Sequence, residues 1–192
     1  MRFVATPVPG AYLIEIEPVW DERGYFARSF CRDEFGALGL PGTIMQCNIS
    51  RNAKRGTLRG MHYQAAPYAE AKYVSCIRGS IYDVIIDLRP DSPAFCDHFA
   101  CELRAEDHSH LFIPEGCAHG FQALEDGSEV FYQMMACYHP GAARGVRWDD
   151  PAFAIPWPIP DPVMSPRDAG YPDFAGVQAR QTVPEGADDR NR

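Results

Sequence analysis

Short alternating segments, cut apart by glycine and proline, most restrict what this chain can fold into. Seventeen prolines and sixteen glycines are spread over 192 residues. Proline removes a backbone donor and glycine favours turns, so long helices find little room while short strands find much. Strand patterns run over Ala11–Val19, Ile44–Arg51, Arg59–Gln64, Phe95–Leu103, Ser109–Pro114, Ala118–Leu124 and Glu129–Tyr138. Lys72–Arg78 and Ser80–Arg89 read as a hairpin turning at Gly79, and Asp126-Gly127 as a second hairpin signal. Asp21–Phe26 is a turn leading into an aromatic strand, and Asp33–Leu38 a short helix. About ten short strands with hardly any helix predict an all-β jelly roll or barrel.

The length suits one domain with a sizeable core, expected over residues 1–176, followed by a polar, flexible tail over 177–192. The net charge of −8 argues against a nucleic-acid partner. No apolar run approaches the ~20 residues of a membrane span, and the N-terminal stretch lacks the pattern of a signal peptide. Seven scattered cysteines without a CxxC pair predict reduced thiols and a cytoplasmic protein.

The chemistry gathers around Gly56–Gln64. In a regular strand His62 and Gln64 share one face, and Arg59 points with Met61 unless a bulge at Gly60 re-aims it. Gly56, five residues, then His62, together with Pro114-Glu115-Gly116-Cys117-Ala118-His119, resembles the two motifs of cupin jelly rolls. Gln64 stands where a second metal-binding His would be. A metal site would keep only His62, His119 and Glu70, fewer ligands than such sites usually need, so no metal is expected. An imidazole without a metal can move protons. Asp83 and His119 interrupt apolar strands and pair either structurally or for binding. Tyr132 and Tyr138, six apart, share a face if their strand is regular. Asp168, an ordinary loop acid by default, could fold back over the barrel mouth to orient His62. Arg23, Arg59, Lys72 and Arg167 are cations suited to phosphate oxygens, and Gln46 and Asn48 face one way on their strand.

DERGYF at 21–26, QCNIS at 46–50, RGMHYQ at 59–64, IPEGCAHGF at 113–121, FYQMMACY at 131–138, RWDDP at 147–151 and SPRD at 165–168 follow one another in a specific order. Over residues 3 to 174 the chain resembles the dTDP-4-dehydrorhamnose 3,5-epimerases. The resemblance implies a cupin-like double-stranded β-helix with a few short helices, a homodimer, and no metal or cofactor. It implies epimerisation of a dTDP-linked 4-keto-6-deoxyhexose at C3 and C5. By position, His62 is the implied base, oriented by Asp168. Tyr132 is the acid on the opposite face, and Lys72 the group near the C4 oxygen. Arg59, Gln46 and Asn48 are implied binders of the diphosphate and sugar, and His119, with Asp83, lies near the sugar. Arg23 and Phe26 resemble residues that reach the nucleotide of the neighbouring subunit; from their own chemistry, Tyr138 and Arg167 are also expected to bind substrate. Arg28, Cys47, Ile49 and Ala143 depart from the family pattern around the expected nucleotide and sugar pocket. They leave open a relative that acts at C3 alone or on another nucleotide sugar.

Overall fold

A computed structural model describes residues 1–174. The segment 177–192, expected to be a flexible tail, lies outside the described residues. Thirteen strands and two short α-helices are described. One antiparallel sheet takes β1 (Arg2–Ala5), β2 (Tyr12–Glu15), β10 (Ser109–Ile113), β7 (Lys72–Arg78), β12 (Ser128–Met134) and β5 (Gln46–Asn52), in that order. A second takes β13 (Ala143–Gly145), β6 (Leu58–Gln64), β11 (Cys117–Ala123), β8 (Ser80–Asp87) and β9 (His98–Arg104). β3 (Val19–Asp21) and β4 (Gly24–Phe26) form a separate hairpin. The two large sheets face each other as the jelly roll that the segment pattern predicts.

Alternation along the strands builds three apolar layers. Val74, Ile81, Ile85, Leu103, Leu111, Phe121 and Val130 fill the space between the sheets. Their neighbours Val84 and Ile86 point out of the second sheet, where Val146 and Phe153 of the later chain cover them. β8 is therefore buried on both faces, which is why its sequence is almost wholly apolar. On the outer face of the first sheet, Ile14, Tyr73 and Phe112 pack around Phe35 of α1 (Arg32–Ala37). Burying one such side chain contributes about 1.5–3 kcal/mol.

Two turns differ from expectation. β7 and β8 do not pair with each other: β7 lies between β10 and β12, and β8 between β11 and β9. Gly79, at φ +69°, turns the chain from one sheet into the other. A Cβ on Gly79 would stand 2.7 Å from the Ser128 hydroxyl, so the corner is closed by packing against the start of β12. Asp126-Gly127 likewise carries the chain between sheets, from β11 to β12, rather than closing a hairpin. A local turn signal fixes where the chain bends but not which sheet receives it. The strand expected over Glu129–Tyr138 stops at Met134.

The inward faces change character along the barrel. On β7, Cys76 and Val74 give way to Lys72; on β12, Val130 gives way to Tyr132; on β11, Phe121 gives way to His119. One end of the interior is thus packed and the other polar and open.

Candidate active site

His62 enters this polar end from β6, where the register against β11 shifts between His119 and Phe121. The cause is Gly60, at φ +149°, where a Cβ would lie 2.6 Å from the Cα of Gly120. Only two glycines let β6 and β11 approach this closely. The irregularity re-aims Arg59, so that Arg59 and His62 line one cavity of about 330 Å³. The Arg59 Nε donates to Asn52 Oδ1 at 2.9 Å. Gln64 does not line that cavity but borders an adjoining one. It donates to the carbonyls of Tyr68 and Cys137 and accepts from the His139 backbone N–H, tying the loop after β6 to the segment after β12.

The segment after β13 brings Asp168 across the mouth. Gln122 pins this segment through paired hydrogen bonds with Ile159, at 2.8 and 3.0 Å, and Val163 bridges to Thr57. Ser165 then caps α2 (Pro166–Ala169), accepting from the Asp168 backbone N–H, with Pro166 at the first helical position. Asp168 Oδ1 sits 2.8 Å from His62 Nε2. Burial raises the Asp168 pKa, but the bond to His62, with help from the Gly60 N–H and Ser165, outweighs it and holds the carboxyl below its ordinary value.

Three further groups come from the facing strands. The Lys72 ammonium donates to the His62 carbonyl at 2.9 Å and lies 3.3 Å from Glu70. Tyr132 turns its ring edge to His119, with centroids 5.9 Å apart, and burial raises its phenol pKa, so it is protonated at neutral pH. His119 Nε2 meets both carboxylate oxygens of Asp83 at 3.0 and 3.1 Å, and both residues are buried. Asn48, Ser50, Glu70, His119, Tyr132 and Asp168 line the same cavity as His62, Arg59 and Lys72.

Other expected residues lie elsewhere. Tyr138 does not share Tyr132's face, because β12 has ended before it. It lines an adjoining cavity of about 150 Å³ with Arg167, Arg144 and Ala143, reached by His62 and Glu70 from the side. Gln46 lines neither cavity, its side-chain oxygen accepting from the Tyr138 N–H at 3.0 Å. Arg23 and Phe26 stand on the β3–β4 hairpin around a separate cleft, with Phe26 80% exposed. Of the four departures from the family pattern, Ala143 alone touches either cavity beside His62; Arg28 is ion-paired with Glu34 at 2.9 Å. Glu70 and Ser50 are cavity residues that the sequence reading did not place in the site. Glu70 surfaced there only as a metal-ligand candidate; among the described residues no three His, Cys, Asp or Glu side chains group to hold a metal ion.

A jelly roll with an imidazole–carboxylate pair on one wall of its cavity and a protonated phenol on the other defines a class of acid–base enzyme acting on carbon. Residues 5–176 match the model of the dTDP-4-dehydrorhamnose 3,5-epimerase family. The enzyme of that name from Shigella flexneri is 39% identical over 91% of this chain and 96% of its own. The crystal structure of the Elizabethkingia anophelis enzyme superposes with a TM-score of 0.88 at 37% identity, covering 91% of this chain and 96% of that one. A Legionella pneumophila 3,5-epimerase in complex with dTDP-4-keto-L-rhamnose gives a TM-score of 0.85 at 33% identity, covering 93% and 95%. The chain belongs to the dTDP-4-dehydrorhamnose 3,5-epimerase family, whose members are isomerases. No helix among the described residues is long and apolar enough to cross a membrane.

Proposed function

We propose that this protein converts dTDP-4-dehydro-6-deoxy-D-glucose into dTDP-4-dehydro-L-rhamnose, with His62 as base, Tyr132 as acid and Lys72 at the C4 oxygen. The observation that carries this reading is the placement of His62 and Tyr132 on opposite sheets, across one cavity. Inversion at a carbon needs a proton taken from one face and returned to the other.

The residue types follow from the chemistry. A C–H beside a ketone is acidic because the carbanion delocalises into an enolate. With Asp168 accepting from Nε2–H, neutral His62 presents the Nδ1 lone pair to the sugar. The Asp168 carboxylate then stabilises the imidazolium. Lys72 donates to the enolate oxygen, where negative charge grows. Tyr132 delivers its proton on the far face. Inversion leaves the oxidation state of the sugar unchanged, so side chains suffice. Arg59 and Asn48 hold the diphosphate and sugar, His119 borders the sugar with Asp83 bound behind it, and Tyr138 and Arg167 bind from the adjoining cavity.

Arg23 and Phe26 line neither cavity beside His62, and we assign them to the nucleotide of a second subunit in a homodimer. Exposed Val19, Trp20, Tyr25 and Phe26 on the hairpin support that assembly, being apolar side chains that a partner would cover. Seven free cysteines support a cytoplasmic setting.

The test is a coupled assay with dTDP-4-dehydro-6-deoxy-D-glucose and a reductase that accepts only the doubly inverted sugar. Reductant consumption proportional to this protein is the expected result. No consumption with folded protein and active reductase would overturn the reading.

A further inference from the structure

Lys72 is 4% exposed, and burial lowers its pKa. An amine in such a place tends to lose its proton, and a neutral amine would be a poor partner for an enolate. Glu70 is 9% exposed, and its carboxylate lies 3.3 Å from the Lys72 ammonium. Among the described residues it is the one carboxylate within ion-pair distance of that nitrogen. Asp83 on β8 also faces Lys72 but is engaged by His119. Cys117 on β11 faces it too, with its thiol pushed up to about 12 by burial, so it brings no charge at neutral pH. The other titratable groups of the cavity are His62, His119, Arg59, Tyr132 and Asp168, and Asp168 is bound to His62.

An ammonium has three donors. Here one goes to the His62 carbonyl, and the Glu70 carboxylate lies beside the ammonium as an ion pair, which leaves N–H groups for the cavity. We propose that Glu70 is a positioning residue that keeps Lys72 protonated and aims its remaining N–H at the oxygen of the bound sugar. Glu70 is not a catalytic residue, since it acts through Lys72. The consequence for turnover rests on the role given to Lys72 above; the effect on the Lys72 charge does not.

The sign of the pH effect follows. Removing a neighbouring carboxylate disfavours the ammonium, so the Lys72 pKa falls further. Glu70→Gln keeps the shape and deletes the charge. In protein labelled with 13C at lysine Cε, titration of Lys72 by NMR without substrate is expected to fall by about one pH unit or more in Glu70→Gln. The alkaline limb of kcat against pH should move down by the same amount. Glu70→Asp, which retains a carboxylate, should keep most of the wild-type titration. Glu70→Ala, which also deletes the charge, gives a second reading of the Lys72 titration if Glu70→Gln does not fold. An unchanged Lys72 titration in Glu70→Gln, or in Glu70→Ala, overturns the proposal. A lowered Lys72 titration with an unmoved kcat profile supports the Glu70–Lys72 coupling and overturns instead the placing of Lys72 at the C4 oxygen.

Discussion

His62→Ala is expected to lower kcat by about 1,000-fold or more while the dTDP-linked sugar still binds. A loss of that size corresponds to about 4 kcal/mol of transition-state stabilisation. The reason is local. His62 is the cavity imidazole whose Nε2 is fixed by a buried carboxylate, at 2.8 Å. His119 cannot replace it, since its Nε2 is held by both Asp83 oxygens and the pair is buried. Arg59, Lys72 and Asn48 remain in the variant, so the diphosphate and sugar contacts proposed for them persist. Calorimetric titration with dTDP, beside the rate measurement, separates the two effects. Wild-type turnover in the variant would remove His62 from the role of base. A large loss of dTDP binding with little loss of kcat would make it a binding residue instead.

Tyr132→Phe should separate proton removal from inversion. The phenylalanine preserves the ring contacts to His119 and Phe121 and deletes only the hydroxyl. His62 can still take a proton and return it to the face it came from. In heavy water the variant is therefore expected to place deuterium in unepimerised sugar at a rate within about tenfold of wild type, while epimerised product forms about 100-fold more slowly or less. Mass and proton NMR spectra of the recovered sugar distinguish the two species. Epimerisation at the wild-type rate would mean that another donor, or water, serves the far face. Loss of exchange together with inversion would mean that the hydroxyl is needed for proton removal as well.

The sequence carried the architecture further than it carried the connections. Alternation and punctuation were enough for a jelly roll, because inward and outward positions differ in polarity along most strands. They were not enough for Gly79 and Asp126-Gly127, since the same glycine that closes a hairpin also turns a corner between two sheets. β1 and β13 were missed because they are only four and three residues long and depend on neighbours for their pairing. His62, Lys72, His119 and Tyr132 were legible as polar residues in β-prone runs. Asp168 was legible only as a possibility, since its place depends on Gln122 and Val163 holding a long segment across the barrel. Tyr138 was misplaced by extending β12 past its end, and Gln46, though two residues from Asn48 on the same strand, does not line its cavity. Glu70 left the weakest trace: it precedes β7 in a loop, and only the fold turns it toward the ammonium of Lys72.

These assignments come together at the two carbons beside the ketone. The most direct measurement is incubation of the wild-type protein with dTDP-4-dehydro-6-deoxy-D-glucose in D₂O, followed by NMR at C3 and C5. Deuterium at both positions of a sugar with both centres inverted is the predicted result. Deuterium at C3 alone would contradict inversion at C5 and make the protein a 3-epimerase. No exchange by folded protein would contradict the proton-transfer account itself.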